Sequence, residues 1–235
     1  MDVFVFSNIK FIMALIFSPV VQCILMVTVF WPPLIFAQAC ALLSKMTIPP
    51  ATKQVVLVLS PKGSSAVVHL CQRHRGHWQR ARQPAFAAMI GQHGIAARGE
   101  KREGDLKTPA GFYALGEAFG TSKRAFDLDY RLITADDKWI DDPLSAQYNQ
   151  WVFGHTTARH YETMRIKPYQ LGIIIRYNMD PVISGAGSGI FIHGWWSKTT
   201  PTAGCIALHP QHVETLLMWL HKDQHPGVYI RRTKS

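Results

Sequence analysis

Charge is scarce in this 235-residue chain. Only 17% of residues are Asp, Glu, Lys or Arg, and acidic residues are the rarer kind, 15 against 25 Lys and Arg. With 48% hydrophobic and 11% aromatic residues, so little charge excludes general disorder. Cysteine is scarce as well: four residues and no Cys-x-x-Cys pair, which excludes a disulfide scaffold and a paired-thiolate zinc site. His-x-x-His occurs at His74/His77 and His209/His212, but 11 His make such spacings easy by chance. A zinc site is therefore not expected. No Gly-X-Y period and no solenoid repeat is visible. The formal charge of +10 suits an anionic partner, yet basic and aromatic residues form no stripe of the kind that reads nucleic acid.

The longest absence lies near the N-terminus, where no charged residue occurs between Lys10 and Lys45. Phe11 to Trp31 alone would span about 31 Å as a helix, the thickness of a bilayer core. Pro32-Pro33 would end such a helix. Ala37-Gln38-Ala39 then follows as a small-x-small site of the kind signal peptidase accepts. Residues 1–50 thus read as an uncleaved membrane anchor or as a signal peptide cut after Ala39. A lipoprotein site at Cys40 is a third reading. Lys10 and the amino terminus oppose Lys45 and Lys53, so charge alone does not set the orientation. Residues 1–50 contribute +1 through Asp2, Lys10 and Lys45, leaving +9 for the rest. The globular domain is placed at 52–232.

Within it, short strands dominate without βαβ alternation, so a mainly β domain with a few helices is expected. Val55 to Leu59 is a continuous apolar run ended by Pro61-Lys62-Gly63, a buried strand and a turn. Ala66 to Cys71 would pair back as a hairpin. Residues 98–111 are charged, Gly-rich and non-periodic, a loop. Phe112 to Leu115 reads as a short strand. Residues 134–151 read mostly as loop, with a short helix near Ser145. Leu171 to Tyr177, Ile190 to His193, Cys205 to Leu208 and Val228 to Arg231 read as strands. Pro210 with Val213, Leu216, Leu217 and Leu220 makes a helix.

Chemistry concentrates in residues 187–208. His193 closes one strand, and Cys205 opens the next after Ala203-Gly204. A thiol attacks as thiolate and needs a base or a positive neighbour, which makes Cys205 a candidate accessible thiol of lowered pKa beside His193. Gly204 permits a tight turn and leaves the backbone N–H groups around it open to hold an oxyanion. A Cys71–Cys205 disulfide is the competing possibility outside the cytoplasm. Ser184 to Gly189 is Gly-rich, but no helix follows it, so a phosphate loop is not expected. Trp195-Trp196 could stack on a sugar. Glu162, Arg165 and Arg176 could meet the charged ends of a peptide.

Ile190-Phe191-Ile192-His193-Gly194 followed by Pro201-Thr202-Ala203-Gly204-Cys205-Ile206-Ala207-Leu208 resembles the active-site motif of the L,D-transpeptidase catalytic domain family, the YkuD type. Supporting stretches are Glu103-Gly104-Asp105 with Lys107 to Gly111, Trp139 to Pro143, Tyr148-Asn149, Gly172-Ile173 and Tyr177-Asn178. The resemblance runs from about Val55 to Ile230. It implies a β-sandwich fold, Cys205 as nucleophile, His193 as general base and Gly204 as the motif glycine. Thr202 fills the Ser/Thr position, and with Trp195, Arg176 and Glu162 it is a candidate substrate contact. The chain departs from the pattern at Ala203, often a polar residue, and at Ala207, typically Arg. The implied substrates are peptidoglycan stem peptides, outside the cytoplasmic membrane, with no metal or cofactor.

Overall fold

The computed structural model describes residues 39–233. The hydrophobic segment Phe11–Trp31 and the proposed cleavage motif up to Gln38 lie outside the described residues. Among the described residues thirteen strands run in chain order: β1 Gln54–Ser60, β2 Ser65–His74, β3 His77–Arg80, β4 Phe86–Met89, β5 Gly111–Gly120, β6 Tyr130–Leu132, β7 Asp137–Ile140, β8 Trp151–Phe153, β9 Tyr161–Thr163, β10 Leu171–Ile175, β11 Phe191–Gly194, β12 Ile206–Leu208 and β13 Gly227–Arg232. Helix α1 is Pro210–Trp219. Among the described residues no helix is long and apolar enough to cross a membrane.

The main sheet runs β1-β13-β5-β10-β11-β12-β4-β2, and β2 pairs again with β1. The sheet is closed and barrel-like, not the two stacked layers of a sandwich. The reason is the double use of β1, which is antiparallel to β2 along Gln54–Leu59 and parallel to β13 along Val55–Ser60. That leaves no free edge at β1. A second sheet, β8-β7-β9, stands apart from it.

The continuous apolar run of β1 has two partners. Val56 and Val58 belong to the core cluster with Leu70, Ile192, Ile206, Leu216 and Ile230. Val55, Leu57 and Leu59 pack on the other side with Cys40, Leu43, Ile48, Cys71 and Trp78. Strands buried on both faces read as unbroken hydrophobic runs, and this one does. Each such side chain contributes roughly 1.5–3 kcal/mol on burial.

A disulfide joins Cys40 to Cys71 and pins the 39–48 segment over β1 and β2. This corrects two expectations. Cys71 is not paired with Cys205, whose thiol is free. The Cys40 sulfur, held in a disulfide, is not a lipid-bearing thioether either. The packed body also takes in residues 39–51, upstream of Thr52.

Helix α1 buries Val213, Leu216 and Leu217, and one N–H of its first turn, that of Gln211, is capped by the His209 Nδ1. Residues 134–151 contain β7 and turns around Ser145 instead of a helix. There the Asp142 carboxylate accepts from the Leu144 and Arg159 amides, and such side-chain acceptors favour turns over helix.

Candidate active site

β11 and β12 are parallel neighbours, with Ile192 opposite Ile206 and His193 opposite Ala207. Alternation along a strand puts Phe191 and His193 on one face. Cys205 immediately precedes β12 and sits level with Phe191, whose N–H donates to its Sγ at 3.3 Å. The imidazole and the thiol are thus diagonal neighbours on one face of the sheet. Both line a cavity of about 380 Å³, together with Ala207. A strand-end His beside a strand-start Cys is what the spacing of the two motifs requires.

The protonation states differ from those expected of an activated thiolate. His193 is 6% exposed, and burial lowers its pKa to about 4 although the Gly194 carbonyl opposes that shift. The ring is neutral near pH 7. Its Nδ1 lies 2.7 Å from the Gly194 carbonyl oxygen, so Nδ1 carries the proton and Nε2 is the free base. Cys205 is 8% exposed. Burial first, and then the charge of Glu162, push its pKa up to about 12, against the Phe191 amide, Lys101 and Tyr169. The resting pair is a thiol and an imidazole, not an ion pair, and the accessible thiol of lowered pKa is not what the fold presents. The S–H group donates to the Gly189 carbonyl at 3.2 Å.

The turn before the cysteine is tied internally. Thr202 Oγ1 donates to the Cys205 carbonyl at 2.7 Å and accepts from the Gly204 N–H at 3.1 Å. The Gly204 amide is therefore engaged rather than open to an oxyanion. Thr202 also pairs with the strand end at Ile90 and Gln92. Gly204 has φ +159°, and a Cβ there would stand 3.0 Å from the Lys107 carbonyl oxygen and 3.1 Å from Ile190 Cδ1. Only glycine lets the 98–111 loop lie against this turn.

That loop delivers Lys101, which is 4% exposed. Its Nζ donates to Asp105 Oδ1 and to the Arg102 carbonyl, each at 2.7 Å. Asp105 in turn accepts from the Arg102 and Lys107 amides, and these bonds hold its carboxyl below the usual range despite partial burial. Ala207 lines the cavity with only a methyl group, and the ammonium group near the thiol is that of Lys101.

The opposite wall comes from the second sheet. Trp139 of β7 faces Glu162 of β9 across their antiparallel pairing. Asn149, 1% exposed with φ +58°, holds this wall to the strand of the histidine. Its Oδ1 accepts from Trp139 Nε1 and from the Gly189 N–H, and its Nδ2 donates to the Tyr177 and Asn178 carbonyls. Tyr148 donates to Glu103, and the Ser188 hydroxyl donates to the same carboxylate at 2.7 Å. Glu162 accepts from the Tyr169 hydroxyl at 2.8 Å. Burial, and secondarily Asp141 and Glu103, raise the pKa of Glu162.

Of the residues singled out in the sequence, Cys205, His193, Gly204, Thr202 and Glu162 meet in this cavity. Trp195 and Arg176 do not line it. The Trp195 ring packs edge-on to His209, with ring centres 5.8 Å apart, because Gly194 ends the strand and the Trp195 N–H donates back to the Leu208 carbonyl. Its neighbour Trp196, 60% exposed, is the indole that lines the cavity. Arg176 lies past the end of β10 and pairs with Asp180. Sequence reasoning missed Lys101 and Tyr169. The signal for Lys101 was its place beside Glu103-Gly104-Asp105, and Tyr169 carried none.

A cysteine and a neutral histidine on adjacent strands face one cavity of a closed mainly β domain, the arrangement of a candidate thiol nucleophile and its base. The family profile of the L,D-transpeptidase catalytic domain, YkuD, matches residues 65–230. The chain belongs to that family, whose members are L,D-transpeptidases acting on peptidoglycan. Neither the curated proteins nor the solved structures compared with the chain match it.

Proposed function

We propose that this chain is an exported cysteine acyltransferase working on peptidoglycan stem peptides. The reading rests on one observation: the unprotonated Nε2 of His193 and the Cys205 thiol share one face of one cavity. Cys205 Sγ attacks the carbonyl of a diaminopimelate–D-amino-acid bond while His193 takes the thiol proton. Because the pair starts neutral, the proton leaves as the C–S bond forms. The Cys205 backbone N–H is the oxyanion donor in place of the engaged Gly204 amide. His193 returns the proton to the leaving amine, and a thioester remains. An amine resolves it into a 3–3 cross-link or a protein linkage, and water would hydrolyse it instead.

Export is supported by the Cys40–Cys71 disulfide, a bond favoured in oxidising compartments, and by the Phe11–Trp31 segment. The part of residues 1–50 that precedes Cys40 then serves as signal peptide or anchor, and the rest belongs to the packed body. A C-terminal phosphatase fusion that is active only when exported should be active, and a silent fusion sinks the localisation.

Muropeptide analysis with the purified chain tests the reaction. New dimers are the expected product. A shortened stem alone would make the chain an L,D-carboxypeptidase or hydrolase with the same Cys205 and His193. Unchanged muropeptides would leave a wall-binding module.

A further inference from the structure

Tyr169 sits at the centre of the site, 4% exposed, on the 3-10 turn Lys167–Gln170. Its ring meets His193 edge-on, with centres 5.0 Å apart, and meets Phe191 in the same manner at 5.6 Å. Its hydroxyl donates to Glu162 Oε1 at 2.8 Å, and the two groups it could serve, Glu162 and the Cys205 sulfur, line the same cavity as the ring. A phenol has one proton to donate, so it serves one of them at a time.

The groups around the sulfur come from four elements. Tyr169 and Glu162 approach from the 3-10 turn and β9, Lys101 from the 98–111 loop and His193 from β11. Glu162 in turn faces Asp141 and Glu103, and Tyr161 also lines the cavity. Hydrogen bonds to a thiolate favour it, and a carboxylate nearby disfavours it.

We propose that Glu162 and Tyr169 form a tuning pair for the nucleophile, in which the Tyr169 hydroxyl is the donor that steadies the Cys205 thiolate and Glu162 the acceptor that withholds it at rest. No proton changes hands between the two. During attack the Cys205 proton goes to His193 Nε2, and the Tyr169 O–H turns from the carboxylate to the sulfur. Tyr169 remains a phenol throughout, since burial raises its pKa well above the ordinary value. Glu162 is then a positioning residue acting through Tyr169, a different role from the contact with substrate charge that its sequence position suggests.

The proposal rests on Cys205 being the nucleophile, but its test needs no wall substrate. The full chain, with its disulfide intact, is alkylated with iodoacetamide from about pH 6 to about pH 10, and the Cys205 rate is followed by peptide mapping, because the thiolate is the reacting form. Glu162→Gln keeps the shape and removes the charge, so the rate should rise and its pH dependence move down by on the order of one unit. Tyr169→Phe removes the donor and should move it up by a similar amount. Opposite movements support the pair, because a merely structural role would shift both variants alike. Unchanged profiles, or movement in one direction, overturn it. If Tyr169→Phe does not fold, Glu162→Gln decides alone, and an unmoved profile overturns the proposal. Inert muropeptide assays beside the expected opposite shifts would reject the acyl-transfer reading and leave the pair standing.

Discussion

Refolding the chain with its disulfide reduced should cost it much of its stability. The Cys40–Cys71 bond closes a separation of 31 residues. Loop-closure entropy for that length is about 12 cal/mol/K, or about 3.7 kcal/mol at 25 °C. The native contacts do not oppose the figure, because Cys40, Leu43 and Ile48 already pack on Val55, Leu57 and Trp78. Against the 5–15 kcal/mol total of an ordinary domain this is a large share. For a body of this size it corresponds to a fall in Tm of about 7–15 °C. The assay is differential scanning calorimetry of the oxidised chain and of chain refolded under reductant. The same preparations are tested with iodoacetamide: oxidised chain should take up label at Cys205 and not at Cys40 or Cys71. A Tm within about 2 °C of the oxidised value would refute the reasoning, since the 39–48 segment would then be held by packing alone.

Other outcomes follow from the site. Cys205→Ala should abolish acyl transfer with the fold intact by circular dichroism, and His193→Ala should slow it by on the order of 10²–10⁴. Gly204→Ala sets a Cβ 3.0 Å from the Lys107 carbonyl oxygen, so it should lower Tm and cut turnover at least about tenfold by moving the sulfur, read from kcat and thermal melts together. His193 titrates near 4 in the folded chain and near 6.5 when unfolded, so the unfolded state binds more protons between these values. Stability should therefore fall as pH drops from about 6.5 to about 4, by on the order of 3 kcal/mol, and His193→Gln should flatten that part of a urea-denaturation series. Trp196→Ala should raise KM more than it lowers kcat, whereas Trp195→Ala should act on stability through His209 and leave KM in place, as steady-state kinetics would show.

Local patterns carried much of the architecture. Val55–Leu59, Leu171–Tyr177, Ile190–His193 and Val228–Arg231 are apolar runs long enough to read as strands, and all four contain strands. Pro210 with its apolar spacing marked α1. Strands β3, β6, β8 and β9 are only three or four residues long and largely unburied, too short to show a period. The Cys205–His193 pair was legible because both lie at strand ends beside glycine, where backbone can turn and side chains can face a common space.

What the sequence by itself indicated is the longer apolar strands, helix α1, the two candidate reacting side chains and the glycine between loop and thiol. These depend on residue type and on near neighbours in the chain. Partnership was decided only in three dimensions. The sequence offered Cys205 as a partner for Cys71, but the 39–48 segment folds across β1 and puts Cys40 against it. The closure of β1 on both β2 and β13 makes a barrel of what could have been a sandwich. Burial, which no single residue reveals, turned an expected thiolate into a thiol and brought Tyr169, Glu162 and Lys101 from three distant segments to one sulfur.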